Sequence, residues 1–271
     1  MTKYQEKLLE ILEFFIDFCE KNDLHYLAIG GTALGAIRHK GFIPWDDDLD
    51  IGMPRPDYEK FKLLFGEMNG HYTIEYPQCC GSDYVTPYMK LFDINTTVIE
   101  AGKKDIRRGV WIDIFPYDGV GNNKKKCKRI IKPIYYKHMF IASLVCAENE
   151  KRAKWKNMVI KATGLFLGKI VNVNKLLVSL DNDCKKRSFE KSKYCTLFYA
   201  YNPMKNLYDK KMIINCQLYP FESLMIKAPV KYDEFLSLTY GDWRKLPPME
   251  KRTSGHPIKF LDLEHSYMKD N

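Results

Sequence analysis

The chain has 271 residues, of which 45% are hydrophobic and 28% are charged. This composition provides ample material for a globular core and excludes the disordered and fibrous classes. The net charge of +9 is unevenly distributed, because residues 121–178 contain fourteen basic residues and two acidic ones. That segment carries +12 and the rest of the chain −3, so the basicity belongs to one segment and does not by itself indicate a nucleic-acid partner.

The first half of the chain predicts alternating helices and strands. Apolar residues fall on one helical face over residues 4–21, and a buried strand over residues 25–29 ends at Gly30-Gly31. We expect Thr32 to cap a short helix that extends through His39, and a second strand over residues 48–53. A helix introduced by Pro54 and Pro56 then leads into strands at 71–76, 84–93, 96–100 and 109–115.

The middle of the chain differs from both ends. From Asn122 to about Leu177, Lys and Arg alternate with apolar and aromatic residues in long helical patterns that we expect to break at Pro133 and Gly164. The last eighty residues return to strands and turns. The polar first residues lack the apolar core of a signal peptide, and no apolar run is long enough to span a membrane. We therefore expect a cytoplasmic α/β protein with a basic helical insertion.

A cluster of acidic residues begins just before the second predicted strand and continues into it, at Asp46, Asp47, Asp48 and Asp50. Residues two apart on a strand point to the same side, so Asp46, Asp48 and Asp50 are predicted to converge. Converging carboxylates require a cation or a bound proton. Mg²⁺ suits such a site because it accepts one or two carboxylates and completes its shell with water and phosphate oxygens. A solvated acidic loop is the alternative, but the apolar residues between the acids favour burial.

Three known acidic or glycine-rich motifs can be tested by position. An EF-hand loop beginning at Asp46 requires Gly at its sixth place, where the chain has Ile51. A phosphate-binding Walker loop is excluded because Gly35 is followed by Ala-Ile, and no G-x-G-x-x-G motif follows the first strand. The paired acids of metal-dependent glycosyltransferases remain an alternative.

The order of strand, Gly30-Gly31, helix and acidic strand resembles the nucleotidyltransferase fold of the polymerase-β type. That resemblance implies a third acid on a later strand, and Asp113 in Ile-Asp-Ile supplies it. In this fold the glycines let backbone N–H groups approach a phosphate at a helix N-terminus. The expected fold class is therefore α/β, an α+β mixed sheet with a polymerase-β-type nucleotidyltransferase core.

Longer motifs resemble the LicD family. The segment 30–51 matches its signature, and further matches are Trp111-Ile-Asp-Ile-Phe-Pro116, Phe221-Glu222, Tyr240-Gly241-Asp242, Pro247-Pro248, and Lys251-Arg252 with His256. The family includes bacterial phosphocholine transferases and is related to the fukutin and fukutin-related ribitol-phosphate transferases. The resemblance divides the chain into a catalytic core (1–120), the basic insertion (121–190) and a C-terminal part that completes the core and the acceptor site (191–271).

The resemblance implies transfer of a phospho-alcohol, most simply phosphocholine, from a cytidine diphosphate donor to a sugar hydroxyl of a surface glycan such as teichoic acid or lipopolysaccharide. CMP is released. Asp48 and Asp50 would hold Mg²⁺, with Mn²⁺ as the alternative ion, and Asp113 would complete the site. Asp46 is expected to be an auxiliary metal ligand or a partner of the Arg38-His39 pair.

Other residues are predicted to bind substrate. Gly30, Gly31 and Thr32 are expected at the donor phosphate through backbone N–H groups and the hydroxyl. Arg38 and Lys90 would bind phosphate or form ion pairs with the acids. The remaining expected substrate-binding residues, each with a packing role as the alternative, are His39, Trp45, Arg252 and His256. Trp45 could cover a choline cation by a cation–π contact.

The basic segment 121–178 suits an anionic membrane surface, where a lipid-linked acceptor would be reached from the inner face, or it forms a solvated pair of basic helices. Two other functional classes remain open. One is a metal-dependent glycosyltransferase or nucleotidyltransferase. The other is a nucleic-acid-binding module, which the chain does not favour because it lacks an RNA-binding signature.

Overall fold

A computed structural model describes residues 1–66, 68–77, 86–100, 105–145, 171–200, 202–253 and 258–268. His256 and residues 146–170 of the basic segment lie outside the described residues, so the predictions made for them stay predictions. The described helices are α1 (Lys3–Lys21), α2 (Gly30–Arg38), α3 (Arg55–Phe65), α4 (Lys124–Val145), α5 (Val173–Cys184), α6 (Lys210–Ile214) and α7 (Tyr232–Tyr240), with a short 3₁₀ helix at Met249–Lys251.

The described strands are β1 (Leu27–Ala28), β2 (Asp50–Pro54), β3 (Met68–Asn69), β4 (Tyr72–Glu75), β5 (Met89–Glu100), β6 (Ile106–Gly121), β7 (Tyr194–Thr196), β8 (Leu207–Asp209), β9 (Cys216–Phe221), β10 (Leu224–Pro229) and β11 (Ile258–Asp262). The main sheet has the order β1-β2-β6-β5-β4-β3. β2 and β6 run parallel, whereas β6 and β5 run antiparallel. The mixed α/β class is therefore confirmed, and the polymerase-β type of its core stays a prediction.

One hydrophobic core lies beneath the sheet and includes the apolar face of α1. Leu8, Leu12 and Phe15 of that helix are fully buried, and each such side chain contributes about 1.5–3 kcal/mol by leaving water. The helix begins with a capping box, in which Thr2 and Gln5 each accept the other's backbone N–H. The prediction of this helix from its apolar spacing is confirmed.

A second core lies between α4 and α5. Its buried members include Ile131, Leu177 and Leu180, and residues Phe198 and Tyr199 from beyond the predicted insertion belong to it as well. Phe115 of β6 packs against both cores. The helical pair is therefore packed onto the rest of the protein, and the boundaries 121–190 and 191–271 stay predictions.

A buried ion cluster also joins these parts. Arg55 at the start of α3 makes a bidentate pair with Asp118 of β6, at 2.7 and 2.8 Å, and a 2.8 Å hydrogen bond to Asp181 of α5. Asp181 also pairs with Lys185 at 2.7 Å. Because every member has a charged partner, removal of one would leave an uncompensated buried charge.

Three local predictions were wrong. α2 begins at Gly30 with Ile29 as its N-cap, so Thr32 lies inside the first turn and does not cap the helix. α4 continues through Pro133. The ring of Pro133 lies on the exposed side, while Ile131 and Ile134 beside it are buried and offset the lost backbone hydrogen bond. β2 begins at Asp50, so Asp46 and Asp48 belong to the preceding loop.

Within the described residues, no helix combines the length and apolarity needed to cross a membrane.

Candidate active site

A cavity of about 510 Å³ opens where α2, the acidic loop and the segment after α7 meet. Its lining residues are Gly30, Gly31, Leu34, Arg38, Ile43, Trp45, Asp46, Asp48, Asp50, Tyr240, Asp242, Trp243, Lys245 and Pro247. Ile43, Leu49 and Ile51 around the acids are buried. The acids therefore belong to an ordered, partly enclosed site and not to a solvated loop.

Asp50 and Asp113 lie next to each other across the parallel strands β2 and β6. They are register partners, and the Asp113 N–H donates to the Leu49 carbonyl at 2.9 Å. Register partners direct their side chains to the same face of a sheet. The backbone therefore brings together two of the three acids that the sequence predicts.

Lys90 lies on the other side of Asp113. It is the register partner of Asp113 on β5, and its Nζ lies 3.1 Å from Asp113 Oδ1 and 4.1 Å from the centroid of the Trp111 ring. The Tyr88 hydroxyl lies 3.4 Å from Asp113 Oδ2, to which it donates. The ion-pair alternative for Lys90 is thus the arrangement observed, and a contact with donor phosphate stays a prediction.

The two glycines at the start of α2 provide space for carboxylates. A Cβ atom at Gly30 would lie 2.6 Å from Asp50 Oδ2, and one at Gly31 would lie 2.3 Å from Asp46 Oδ2. Gly30 also has a φ of +52°, which L-residues rarely adopt. Only glycine at both positions lets the acids approach the N-terminus of α2 this closely.

Thr32 fixes the backbone of the acidic strand. Its buried hydroxyl accepts the backbone N–H of Asp50 at 2.8 Å. A hydroxyl engaged in this way positions the Asp50 backbone against the first turn of α2, and any contact of Thr32 with a phosphate stays a prediction.

The carboxylates influence one another electrostatically. Burial raises the pKa of Asp50 well above its usual value, and the charges of Asp48, Asp113 and Asp46 raise it further, while Lys90 lowers it. Carboxylates that raise one another's pKa in this way favour a nearby cation or a bound proton.

Arg38 and Trp45 are held by the C-terminal part of the chain. Arg38 Nη1 donates to the Trp243 carbonyl at 2.7 Å, and its Nε lies 3.4 Å from His39 Nδ1. Burial lowers the pKa of both Arg38 and His39. The guanidinium carbon of Arg252 lies 5.2 Å from the centroid of the Trp45 ring. Arg38 lines the cavity, and Arg252 lies beside it through its contact with Trp45. The face of the Trp45 ring is thus already in contact with a cationic group.

The lining residues with no role assigned from the sequence include three with hydroxyl or charged side chains: Tyr240, Asp242 and Lys245. The motif Tyr-Gly-Asp was the available signal, but its distance along the chain gave no indication that it would lie beside the acidic loop. Burial raises the pKa of Tyr240, and the charges of Asp50, Asp46 and Asp48 add to that effect. Tyr240 lines the same cavity as Asp46, Asp48 and Asp50.

The described residues contain no group of three His, Cys, Asp or Glu side chains close enough to hold a metal ion by themselves. Mg²⁺ needs only one or two protein carboxylates when substrate phosphates supply other ligands. Asp50 with Asp113, or Asp50 with Asp48, meets that requirement. The convergence of Asp46, Asp48 and Asp50 on one cavity, with Asp113 beside Asp50, is the observation that supports a cation here.

Known proteins give a consistent result. Residues 23–145 match the family model described as "LicD/FKTN/FKRP, nucleotidyltransferase domain". The chain is 35% identical to the lipopolysaccharide cholinephosphotransferase LicD of Haemophilus influenzae over 263 residues, which is 94% of this chain and 96% of that protein. An uncharacterised protein of Rickettsia typhi is 43% identical over 63 residues, which is 22% of this chain and 20% of that protein. One of Rickettsia prowazekii is 36% identical over 70 residues, which is 26% of each chain. The chain belongs to the LicD family.

Proposed function

We propose that this protein transfers phosphocholine from CDP-choline to a sugar hydroxyl of a cell-surface glycan and releases CMP. The observation that carries the proposal is the alignment of Asp50 and Asp113 on one sheet face beside the cavity, in a chain 35% identical over 94% of its length to a lipopolysaccharide cholinephosphotransferase. In-line attack on a diphosphate depends mainly on positioning and charge neutralisation, which this site can provide.

In the proposed reaction the acceptor oxygen attacks the phosphorus that bears choline. A new oxygen–phosphorus bond forms, the bond to CMP breaks, and the hydroxyl proton passes to a carboxylate. Asp113 is our proposed acceptor of that proton, with Asp46 as the alternative. Two carboxylates, Asp50 with Asp113 or Asp50 with Asp48, would hold Mg²⁺ or Mn²⁺ together with oxygens of the diphosphate. The bound ion would neutralise the diphosphate.

The remaining residues would bind the donor and acceptor. We propose that the N–H groups of Gly30 and Gly31, together with Arg38, bind donor phosphate. The Trp45 ring would receive the trimethylammonium group in place of Arg252, since aromatic faces attract quaternary ammonium ions. Further proposed substrate contacts are Thr32, His39, Lys90, Arg252 and His256.

We further propose that residues 1–120 form a polymerase-β-type core, that residues 121–190 form a basic insertion, and that residues 191–271 complete the acceptor site.

We also propose that the protein lies in the cytoplasm and contacts the inner face of an anionic membrane through residues 121–178. A lipid-linked glycan would be the acceptor there. The apolar and basic exposed residues of α4 support this location.

A metal-dependent glycosyltransferase or nucleotidyltransferase is the second candidate, because paired acids also serve those reactions. A donor screen separates the possibilities. CDP-choline, CDP-ribitol, CDP-glycerol and nucleotide-sugars are each incubated with Mg²⁺ and a glycan acceptor, and released nucleotide and modified glycan are identified by mass spectrometry.

We expect CMP release and a phosphocholine adduct with CDP-choline. Asp50→Asn should reduce the rate by at least about 10²-fold, the scale of losing a group that stabilises transition-state charge. Asp105→Asn is the matched control, because Asp105 forms an exposed ion pair with Lys259. Transfer of a sugar or a nucleotide, or full activity of Asp50→Asn, would contradict the proposal.

A further inference from the structure

A second cavity, of about 360 Å³, lies between α4 and the C-terminal end of α5 with the residues that follow it. Its lining residues are Ile130, Pro133, Ile134, Lys137, Asp183, Lys186 and Arg187. None of them belongs to the catalytic cavity described above. Three cationic side chains and one carboxylate give this small cavity an excess of positive charge.

Two of the three cations of this cavity form ion pairs with Asp183. Lys137 of α4 donates to both Ser179 and Asp183, and Lys186 Nζ lies 2.6 Å from Asp183 Oδ1. Asp183 thus orients two lysines at the cavity, and the exposed Arg187 adds a guanidinium that matches phosphate oxygens in a bidentate fashion. An anion with phosphate geometry would complete the charge balance of this group.

One wall of the cavity is apolar. Ile130, Pro133 and Ile134 belong to one face of α4, because they are three and four residues apart. A small inorganic anion has no apolar atoms that could pack against this wall, whereas the glycerol and first acyl carbons of a phospholipid would contact it. The combination of cations and an apolar wall therefore favours a lipid headgroup.

The exposed side of α4 beside the cavity has the composition of a membrane-surface helix. The sequence Lys124–Val145 contains seven lysines and arginines and no acidic residue. Its second half exposes Tyr136, Met139 and Phe140, at 58%, 48% and 40% of their surface. These three residues are spaced to lie on one face, and aromatic residues beside cations are typical of helices that lie in the headgroup region.

We propose that this surface, the cavity together with the exposed side of α4, binds an anionic bilayer and that the cavity receives the phosphate of one lipid headgroup. The inference rests on the peripheral location included in the proposed function and names the residues that produce it. It assigns Lys186 and Arg187 to the headgroup, and Tyr136 and Phe140 to the interface.

Co-sedimentation of the full chain with vesicles tests the proposal. Phosphatidylglycerol vesicles should bind the protein and pure phosphatidylcholine vesicles should not. Replacing Lys186 and Arg187 together by Gln should weaken binding roughly 25-fold, at about fivefold for each basic residue near the surface. The control replaces Lys3 and Lys211, which are exposed on α1 and α6, and should retain binding because it removes equal charge elsewhere.

Several outcomes would overturn the site. Equal losses in the double variant and its control would mean that net charge alone attracts the protein. No loss in Tyr136→Ser/Phe140→Ser, or displacement from vesicles by millimolar inorganic phosphate, would remove the lipid as the ligand. Tighter binding to single-stranded RNA than to vesicles would assign the surface to nucleic acid. Far-ultraviolet circular dichroism confirms that each variant is folded.

A separate measurement distinguishes this inference from the proposed function. CMP release from CDP-choline is followed with a water-soluble glycan acceptor and no vesicles. Activity there without vesicle binding would overturn the membrane site alone, whereas vesicle binding without any transfer would contradict the proposed reaction and leave the site standing.

Discussion

Asp50 and Asp113 are register partners on adjacent parallel strands, so the sheet itself brings their carboxylates to one face. Asp46 and Asp48 reach the same cavity from a loop. The two kinds of support differ in rigidity, because strand positions are fixed by a hydrogen-bonded ladder and loop positions are not. We therefore expect the strand pair to be the less tolerant of substitution.

Metal binding should stabilise the folded protein. Mg²⁺ added to 100 times its dissociation constant should raise the free energy of unfolding by about 2.7 kcal/mol, because it binds the folded chain only. Differential scanning fluorimetry with and without EDTA measures the shift. Asp50→Asn and Asp113→Asn should lose the shift and Asp105→Asn should keep it. An undiminished shift in Asp50→Asn would exclude this metal site.

The glycines at the start of α2 should be intolerant of alanine for a steric reason. Gly31→Ala would place Cβ against Asp46, and Gly30→Ala would place it against Asp50 in a backbone conformation that costs about 1–3 kcal/mol. Displacing a reacting group by about 1 Å can cost about 10²-fold in rate. Gly70→Ala is the control for Gly30, because Gly70 also has a positive φ but has no atom within 4 Å of its Cβ position. Activity falling equally in both would point to general strain.

Thr32 should act through the Asp50 backbone. Thr32→Val removes the hydroxyl that accepts the Asp50 N–H and should destabilise the protein by about 1–3 kcal/mol, because a buried donor is left without an acceptor. Thr32→Ser keeps the acceptor and should retain stability and donor KM. Urea denaturation and steady-state kinetics measure the two effects. Equal behaviour of the Val and Ser variants would argue against this role.

The buried ion cluster should make stability depend on pH. Burial alone would raise the pKa of Asp181, but Arg55 and Lys185 outweigh it and hold that pKa below its usual value. Because the folded pKa is the lower one, the stabilisation is complete above the unfolded value of about 3.9 and is lost as pH falls through the folded value.

Asp181→Asn should therefore lower the free energy of unfolding by about 3 kcal/mol at pH 7, and the difference from wild type should shrink below about pH 4. The exposed Asp17→Asn is the control and should change stability by less than about 0.5 kcal/mol at either pH. A wild-type advantage that stays constant down to pH 3 would contradict the assignment.

The sequence predicted which acidic residues form the site better than it predicted the elements that position them and the distant residues that line the cavity. Apolar spacing identified α1, and the β-rich composition of the residues around Asp113 identified the centre of β6. Asp46, Asp48 and Asp50 all line one cavity, but a loop and not the predicted strand positions Asp46 and Asp48, so the alternation argued from their spacing does not explain it. Tyr240 and Lys245 could not be placed, because about 190 residues separate them from the acidic loop and only tertiary packing brings them to it.

Predictions from the local conformational preferences of single residues were also wrong where tertiary packing outweighed those preferences. Proline usually ends a helix, yet α4 passes through Pro133 because buried isoleucines flank an exposed ring. A hydroxyl near a helix start usually caps it, yet Thr32 is committed to Asp50. Both errors arise at contacts between residues that lie on different elements.

Tyr88 occupies a position between the helical pair and the acids. The centroid of its ring lies 4.1 Å from that of Phe115, with the two rings tilted, and 6.4 Å from that of Tyr199 in the second core. Its hydroxyl donates to Asp113. A shortened chain without α4 and α5 would lose most of the second core, against which Tyr88 and Phe115 pack. We therefore expect deletion of the helical pair to disturb the acidic site along with the surface that the pair carries.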